Sequence, residues 1–215
     1  MYDSEKTEIL KTAEKLIACG LVKLSSGNLS IRRNTHVIVT PSGMDYLELV
    51  EDDLVVIDME GNILEGRNQP SLDSVGLLYI YNHMPDVGAI IHTHQVYATA
   101  LGLTEEKLPA ILTTMVNAVG GEVAVTPYAP AGKVETGIVT VEHIGDKKAV
   151  ILKHHGVITI GKNLTEALYA AVYLEGAAQS YYLSKLFGKA SVLDSDQIND
   201  AVNIFKDYAK SPRKL

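Results

Sequence analysis

The chain has 215 residues, 47% of them hydrophobic, with 17 Gly and 7 Pro, so the expectation is one folded domain over residues 1–215 with a sizeable core, and extended disorder is excluded. Its 19 basic and 26 acidic residues leave a formal charge of −7, which offers no general attraction to nucleic acid or to a membrane surface and excludes both as bulk partners. The opening MYDSEKTEIL lacks the basic end and apolar core of a signal peptide, no run reaches the length of a membrane span, and the lone Cys19 forms no internal disulfide, which together point to the cytoplasm.

Residues 3–19 place Ile9, Leu10, Ala13, Leu16 and Ile17 at helical spacing between charges, which predicts an amphipathic helix ended by Gly20. The runs LSIRR, HVIVTPSG and DLVVIDMEGNIL then read as strands with tight turns, Glu60-Gly61-Asn62 being a hairpin candidate. At Pro70-Ser71 the pattern changes to a helix start, with Leu72, Val75, Leu78 and Tyr79 on one face. VGAIIHTH is a predicted buried strand, QVYATALGL a helix and GEVAVTPYA a strand, while KVETGIVTVEHIG is read as a helix despite its β-branched residues. KAVILKHHGVITIG predicts a strand pair turning at His155-Gly156. The long helix over 163–188 is capped by Asn163, with Glu166 as its capping-box partner. The order is α/β, with a block of strands flanked by helices and a sheet that is mixed or antiparallel.

Two histidines, His92 and His94, close the apolar run AIIHTHQ. Residues i and i+2 of a strand project to one face, where two imidazoles could grip one ion; the same pair also fits a strand with satisfied core or surface histidines. The pair His154-His155 adds a third candidate, only one of which can share that face, and Gly156 leaves room for close approach. Three histidines with a fourth position open is the coordination of a catalytic Zn²⁺ site, and a chain with one Cys offers no thiolate cage.

Eight short stretches in order carry a resemblance along nearly the whole chain: SSGNLSIR at 25–32, TPSGMDY at 40–46, PSLDS at 70–74, HTHQVYATA at 92–100, LPA at 108–110, GG at 120–121, PYA at 127–129 and KHHGVITIGKNLTEAL at 153–168. In these the sequence resembles the class II, zinc-dependent sugar-phosphate aldolases, which share a fold with pentulose-phosphate 4-epimerases and the adducin head domain. The resemblance implies a central, mainly antiparallel sheet with helices on both sides, assembled as a homotetramer with the active site near a subunit interface. By position it makes His92, His94 and His155 the ligands of one Zn²⁺ per subunit, or of another divalent metal, and His154 a non-ligand neighbour. It assigns the substrate phosphate to Gly27, Asn28, Ser42, Gly43 and Ser71, and catalytic roles to Asp73 and Tyr208. Each of these small residues also fits an ordinary turn. Small residues let N–H groups face an anion, and Ser71 lies where the expected helix presents unpaired N–H groups.

The sequence departs from the aldolase pattern at several positions. Asp73 stands where a glutamate is usual, a shorter carboxylate that the epimerases carry and that also fits a helix N-terminus. Leu72 replaces a second phosphate-pocket serine, Thr113 and Thr114 fall where a tyrosine from a neighbouring subunit is expected, and Ala131 replaces a phenylalanine. Against epimerisation, its hallmark acid is Asn117 here, and an amide accepts no proton. The expected activity is that of a zinc-dependent lyase cleaving a ketose 1-phosphate, of the L-fuculose 1-phosphate type, to dihydroxyacetone phosphate and a short aldehyde through a metal-stabilised enediolate. Asp73 would move the proton at carbon, Tyr208 would hold the aldehyde oxygen, and no Schiff-base lysine is required. The alternatives are a pentulose-5-phosphate 4-epimerase of the L-ribulose 5-phosphate type and a non-catalytic adducin-like scaffold, against which the intact histidine set argues.

Overall fold

A seven-stranded antiparallel sheet in the order β4-β3-β2-β1-β5-β9-β8 forms the centre of the computed structural model, which describes residues 1–208, with side chains to Ile204. Its strands are β1 (Asn28–Arg33), β2 (His36–Val39), β3 (Val55–Asp58), β4 (Ile63–Glu65), β5 (Ala89–Thr93), β8 (Ala149–Leu152) and β9 (Gly156–Gly161). A two-residue pair, β6 (Lys107–Leu108) and β7 (Val123–Ala124), forms its own small ladder beside β8. The helices are α1 (Asp3–Ala18), α2 (Ser74–His83), α3 (Val96–Thr104), α4 (Thr113–Val119), α5 (Val134–Ile144), α6 (Leu164–Phe187) and α7 (Ser195–Tyr208). Among the described residues, no helix is long and apolar enough to cross a membrane.

Strand alternation decides which side each residue serves. Leu29, Ile31, Ala89 and Ile91 face α1 and α6, where they pack with Ile9, Leu16, Leu168 and Ala171. Val37, Val39, Ile90, Ile158 and Ile160 face the other way and pack on Leu77, Ile80 and Tyr81 of α2 and Ile144 of α5. Both faces of the sheet are therefore covered, as the resemblance implied. A third core joins α3, α4 and α6 beside β8 through residues such as Ala98, Met115, Val116, Leu174 and Ile151.

Several expectations needed revision. The face of α2 read from Leu72, Val75, Leu78 and Tyr79 is buried only in part. Leu78 packs into the core with Leu77, Ile80 and Tyr81, whereas Leu72 and Val75 are exposed. The helix begins at Ser74, three residues after the expected start at Ser71, so the true core face is offset from the one counted from Pro70. The strand expected over GEVAVTPYA shrinks to Val123–Ala124, with one further bridge from Val125 to Ile151. Pro127 and Pro130 lack the N–H groups needed to extend it. The turn between β8 and β9 is Lys153–His155, and Gly156 already belongs to β9. Asn163 does cap α6, accepting from the Glu166 N–H at 3.0 Å, but the Glu166 carboxylate reaches Lys162 N and Lys148 Nζ instead of closing the box. α5 is a helix despite its β-branched residues because packing outweighs propensity: Gly137 lies so close to Gly76 of α2 that a Cβ there would meet the Gly76 carbonyl at 2.4 Å.

Candidate metal centre

Antiparallel pairing brings the C-terminal end of β5 against the N-terminal ends of β1 and β9, so His92 sits opposite Asn28 on one side and Ile158 on the other. His94 follows β5 directly, and His155 immediately precedes β9. The result is a cluster of His92, His94 and His155 in which one ligand atom from each lies within 4.8 Å of the others. His154 is exposed and adopts the left-handed conformation with φ 59°, a turn geometry that sends its neighbour His155 to the cluster. Gly156 is required for this packing. A Cβ there would come within 2.4 Å of the Thr93 carbonyl and 2.8 Å of the His94 ring.

The donor set fits a divalent metal. His92 Nδ1 is 2.9 Å from the Val157 carbonyl oxygen, an acceptor only, so Nδ1 carries the proton and Nε2 is left with its lone pair. That Nε2 lies 3.0 Å from His94 Nε2, against about 3.3 Å for two nitrogens sharing a tetrahedral Zn²⁺. His155 Nδ1 is buried without a hydrogen-bond partner among the described residues. Burial holds His92 well below the ordinary imidazole range, although the Asp73 charge opposes it. His94 is also lowered, by partial burial first and then by the charge of His155. Both therefore stay neutral at neutral pH, the form that binds a metal.

Asp73 points at this cluster. Its Oδ2 is 3.8 Å from His92 Nε2 and accepts a hydrogen bond from Asn28 Nδ2 at 3.1 Å, while Oδ1 accepts from the Gly132 N–H at 3.0 Å. It occupies the N-cap position of α2 without capping it, so its carboxylate is turned away from the helix dipole and toward the histidines. Gly132 was not singled out in the sequence; its place after Ala131, in a loop of Gly and Pro, is the only trace it leaves there. Its φ of +68° and the Leu72 side chain, 2.5 Å from where a Cβ would stand, explain why the loop carries glycine at this point.

The phosphate candidates divide into two groups. Gly27, with φ +83°, packs against the His92 carbonyl, and Asn28 is fully buried, with its Oδ1 unpaired among the described residues. The Pro41–Pro70 bridge sets Ser42 and Gly43 beside Ser71. The backbone N–H groups of Ser42 and Ser71 are already used by the carbonyls of Gln69 and Thr40. Ser71 Oγ accepts from the Asp73 N–H at 3.3 Å. The expected row of unpaired N–H groups at Ser71 is therefore absent there, because α2 starts three residues later. Thr113 and Thr114 are exposed at the start of α4, Ala131 is exposed, and Asn117 donates from α4 to the Ala201 carbonyl of α7. Tyr208 is the last residue of α7, and its side chain lies outside the described residues.

Residues 7–182 match the family model described as Class II Aldolase and Adducin N-terminal domain. A 5-deoxy-D-ribulose 1-phosphate aldolase from Bacillus thuringiensis serovar kurstaki is 31% identical over 98% of this chain and 99% of its own. An L-fuculose phosphate aldolase from Escherichia coli strain K12 is 31% identical over 94% of each chain. Among solved structures, an L-fuculose 1-phosphate aldolase superposes with a TM-score of 0.91 at 34% identity, covering 96% of this chain and 98% of that one.

Proposed function

The chain belongs to the class II aldolase and adducin family, its relatives there being aldolases and hence lyases, and from that premise we propose that it is a zinc-dependent aldolase of ketose 1-phosphates. The reaction is reversible cleavage to dihydroxyacetone phosphate and a short aldehyde. The two curated relatives are named for deoxy sugars, 5-deoxy-D-ribulose 1-phosphate and L-fuculose phosphate. A deoxyketose 1-phosphate that releases a methyl-terminated aldehyde is accordingly the substrate class put forward for this chain. The observation that carries the reading is the placement of the Asp73 carboxylate against a three-histidine cluster.

His92, His94 and His155 would hold the metal. When bound, it supplies a Lewis acid at the ketone oxygen, where negative charge develops as the carbon–carbon bond breaks. Asp73 gives a proton to the carbon that becomes the hydroxymethyl group of dihydroxyacetone phosphate, and takes it back in the condensation direction. Asn28 and the Gly132 N–H hold that carboxylate in one orientation, with two donors facing two oxygens. Gly27, Asn28, Ser42, Gly43 and Ser71 bind the phosphate, whose remote contacts align the reacting carbons. Tyr208 holds the aldehyde oxygen. Asn117, an amide tied to α7, gives the aldehyde no second acid on its opposite face. This disfavours rotation and recombination, the course an epimerase needs.

A homotetramer in the cytoplasm completes the proposal. The exposed Tyr182, Leu183, Leu186 and Phe187 at the end of α6 form an apolar surface of the kind subunit contacts cover. Incubating the zinc-loaded protein with dihydroxyacetone phosphate and a panel of short aldehydes tests the activity. Condensation products with methyl-terminated aldehydes are expected, and none after chelation.

A further inference from the structure

The three histidines of the cluster are fixed by different means. His92 is fully buried and tied through Nδ1 to the Val157 carbonyl. His155 sits in a three-residue turn between two paired strands. His94 has neither support: its side chain is only partly buried, and its one hydrogen-bond partner among the described residues is His92 Nε2, itself a candidate ligand. The place of the His94 ring therefore depends on its backbone, which lies between the end of β5 and the first turn of α3.

That first turn lacks a cap of its own. The N-cap residue is Gln95, whose side chain makes no cap bond, and no acidic residue lies in the turn. The Gln95 side chain is engaged elsewhere, accepting from Thr93 Oγ1 at 2.8 Å and donating to the Ala171 carbonyl of α6 at 3.3 Å. The unpaired donors are met from a distance. Glu175, one turn beyond Ala171 on α6, accepts the Tyr97 N–H on Oε1 at 2.8 Å and the Ala98 N–H on Oε2 at 3.0 Å. A carboxylate taking two backbone N–H groups at a helix start is a charge-assisted clamp, favoured also by the positive end of the helix dipole. Two residues four apart on α6 thus grip the segment that begins directly after His94.

We infer that Glu175 is a positioning residue for the metal centre, holding His94 at ligand distance by clamping the start of α3 to α6. This rests on the reading of His92, His94 and His155 as metal ligands. Among the described residues Glu175 makes no hydrogen bond to the cluster or to Asp73, and no sequence motif marks it.

The test is Zn²⁺ affinity of the full-length protein, measured by competition with a chromophoric chelator. Glu175→Gln keeps the shape but sets an amide NH₂ against a backbone N–H. It should bind zinc about tenfold or more weakly, the usual range for loss of a ligand-orienting partner, while far-ultraviolet circular dichroism stays native. Glu166→Gln, at the far end of the same helix, removes the partner of Lys148 and should lose stability without losing zinc affinity. A second readout needs no variant. Linkage is reciprocal, so adding zinc to the wild-type chain should slow hydrogen exchange at the Tyr97 and Ala98 amides. Wild-type affinity in Glu175→Gln, or exchange at those amides indifferent to zinc, would overturn the inference while leaving the three-histidine reading intact. A wild-type chain that took up no zinc would overturn both.

Discussion

Asp73 and Gly132 meet through a single hydrogen bond, from the Gly132 N–H to Asp73 Oδ1 at 3.0 Å, which joins the start of α2 to the loop before α5. With Asn28 Nδ2 donating to the other oxygen, each oxygen of the carboxylate is held by its own donor. The loop closes on the shorter aspartate because Gly132 has no Cβ to strike Leu72.

Replacing Asp73 by Asn keeps the shape and removes the basicity. Zinc content, measured by atomic absorption, should stay near one per chain while kcat falls by about 10²-fold or more. Loss of the metal would make Asp73 a ligand, and unchanged turnover would reduce it to a helix-terminal acid.

The histidines should separate cleanly. His92→Ala, His94→Ala and His155→Ala are each expected to lose bound zinc and activity, whereas His154→Ala and His154→Gly should retain both, since His154 is exposed on its turn. Equal zinc loss in the His154 and His155 variants would show the turn facing the other way.

Gly156→Ala probes the packing beneath the cluster. The added methyl group meets the Thr93 carbonyl and the His94 ring at 2.4 and 2.8 Å, so β5 and β9 must part where two ligands are held. Zinc affinity should drop by about tenfold or more and the melting temperature should fall with it. An unchanged affinity would mean the rings need no such close approach.

Much of this was legible in the sequence. The short apolar runs of β1, β2 and β5 and the capped start of α6 showed directly, and the parity of His92 and His94 pointed to a shared site. The short helix α4 and the terminal α7 did not show, because their apolar residues are packed mainly against each other and α6 instead of the sheet. The start of α2 was misplaced because Pro70-Ser71 has the chemistry of a helix start, yet the chain spends three further residues in a turn that aims Asp73 at the histidines. Gly132 and Glu175 were hidden for a different reason. Gly132 donates its backbone N–H to Asp73 and Glu175 accepts the backbone N–H groups of Tyr97 and Ala98, and neither contact leaves a pattern at fixed spacing.

Acid should weaken the metal-free protein in a defined window. Burial lowers His92 and His94 in the folded chain, while the unfolded chain titrates its imidazoles near pH 6.5, roughly. Between the two the unfolded state binds more protons, so stability is full above that unfolded value and is lost as pH falls through the folded ones. Denaturant melts should show the decline beginning near pH 6.5, roughly, before ordinary carboxylates titrate. A flat profile down to the carboxylate range would contradict the burial of these rings.

Cleavage of a ketose 1-phosphate with release of the triose is the reaction proposed for this chain. The most direct measurement presents the zinc-loaded protein with L-fuculose 1-phosphate and with 5-deoxy-D-ribulose 1-phosphate, and follows dihydroxyacetone phosphate through coupled glycerol-phosphate dehydrogenase. Free triose phosphate should appear from at least one of them and stop on chelation, and L-ribulose 5-phosphate should not be converted to D-xylulose 5-phosphate. Rapid interconversion of those pentulose phosphates with no triose release would contradict the claim, and would mean that Asp73 outweighs Asn117 in setting the reaction.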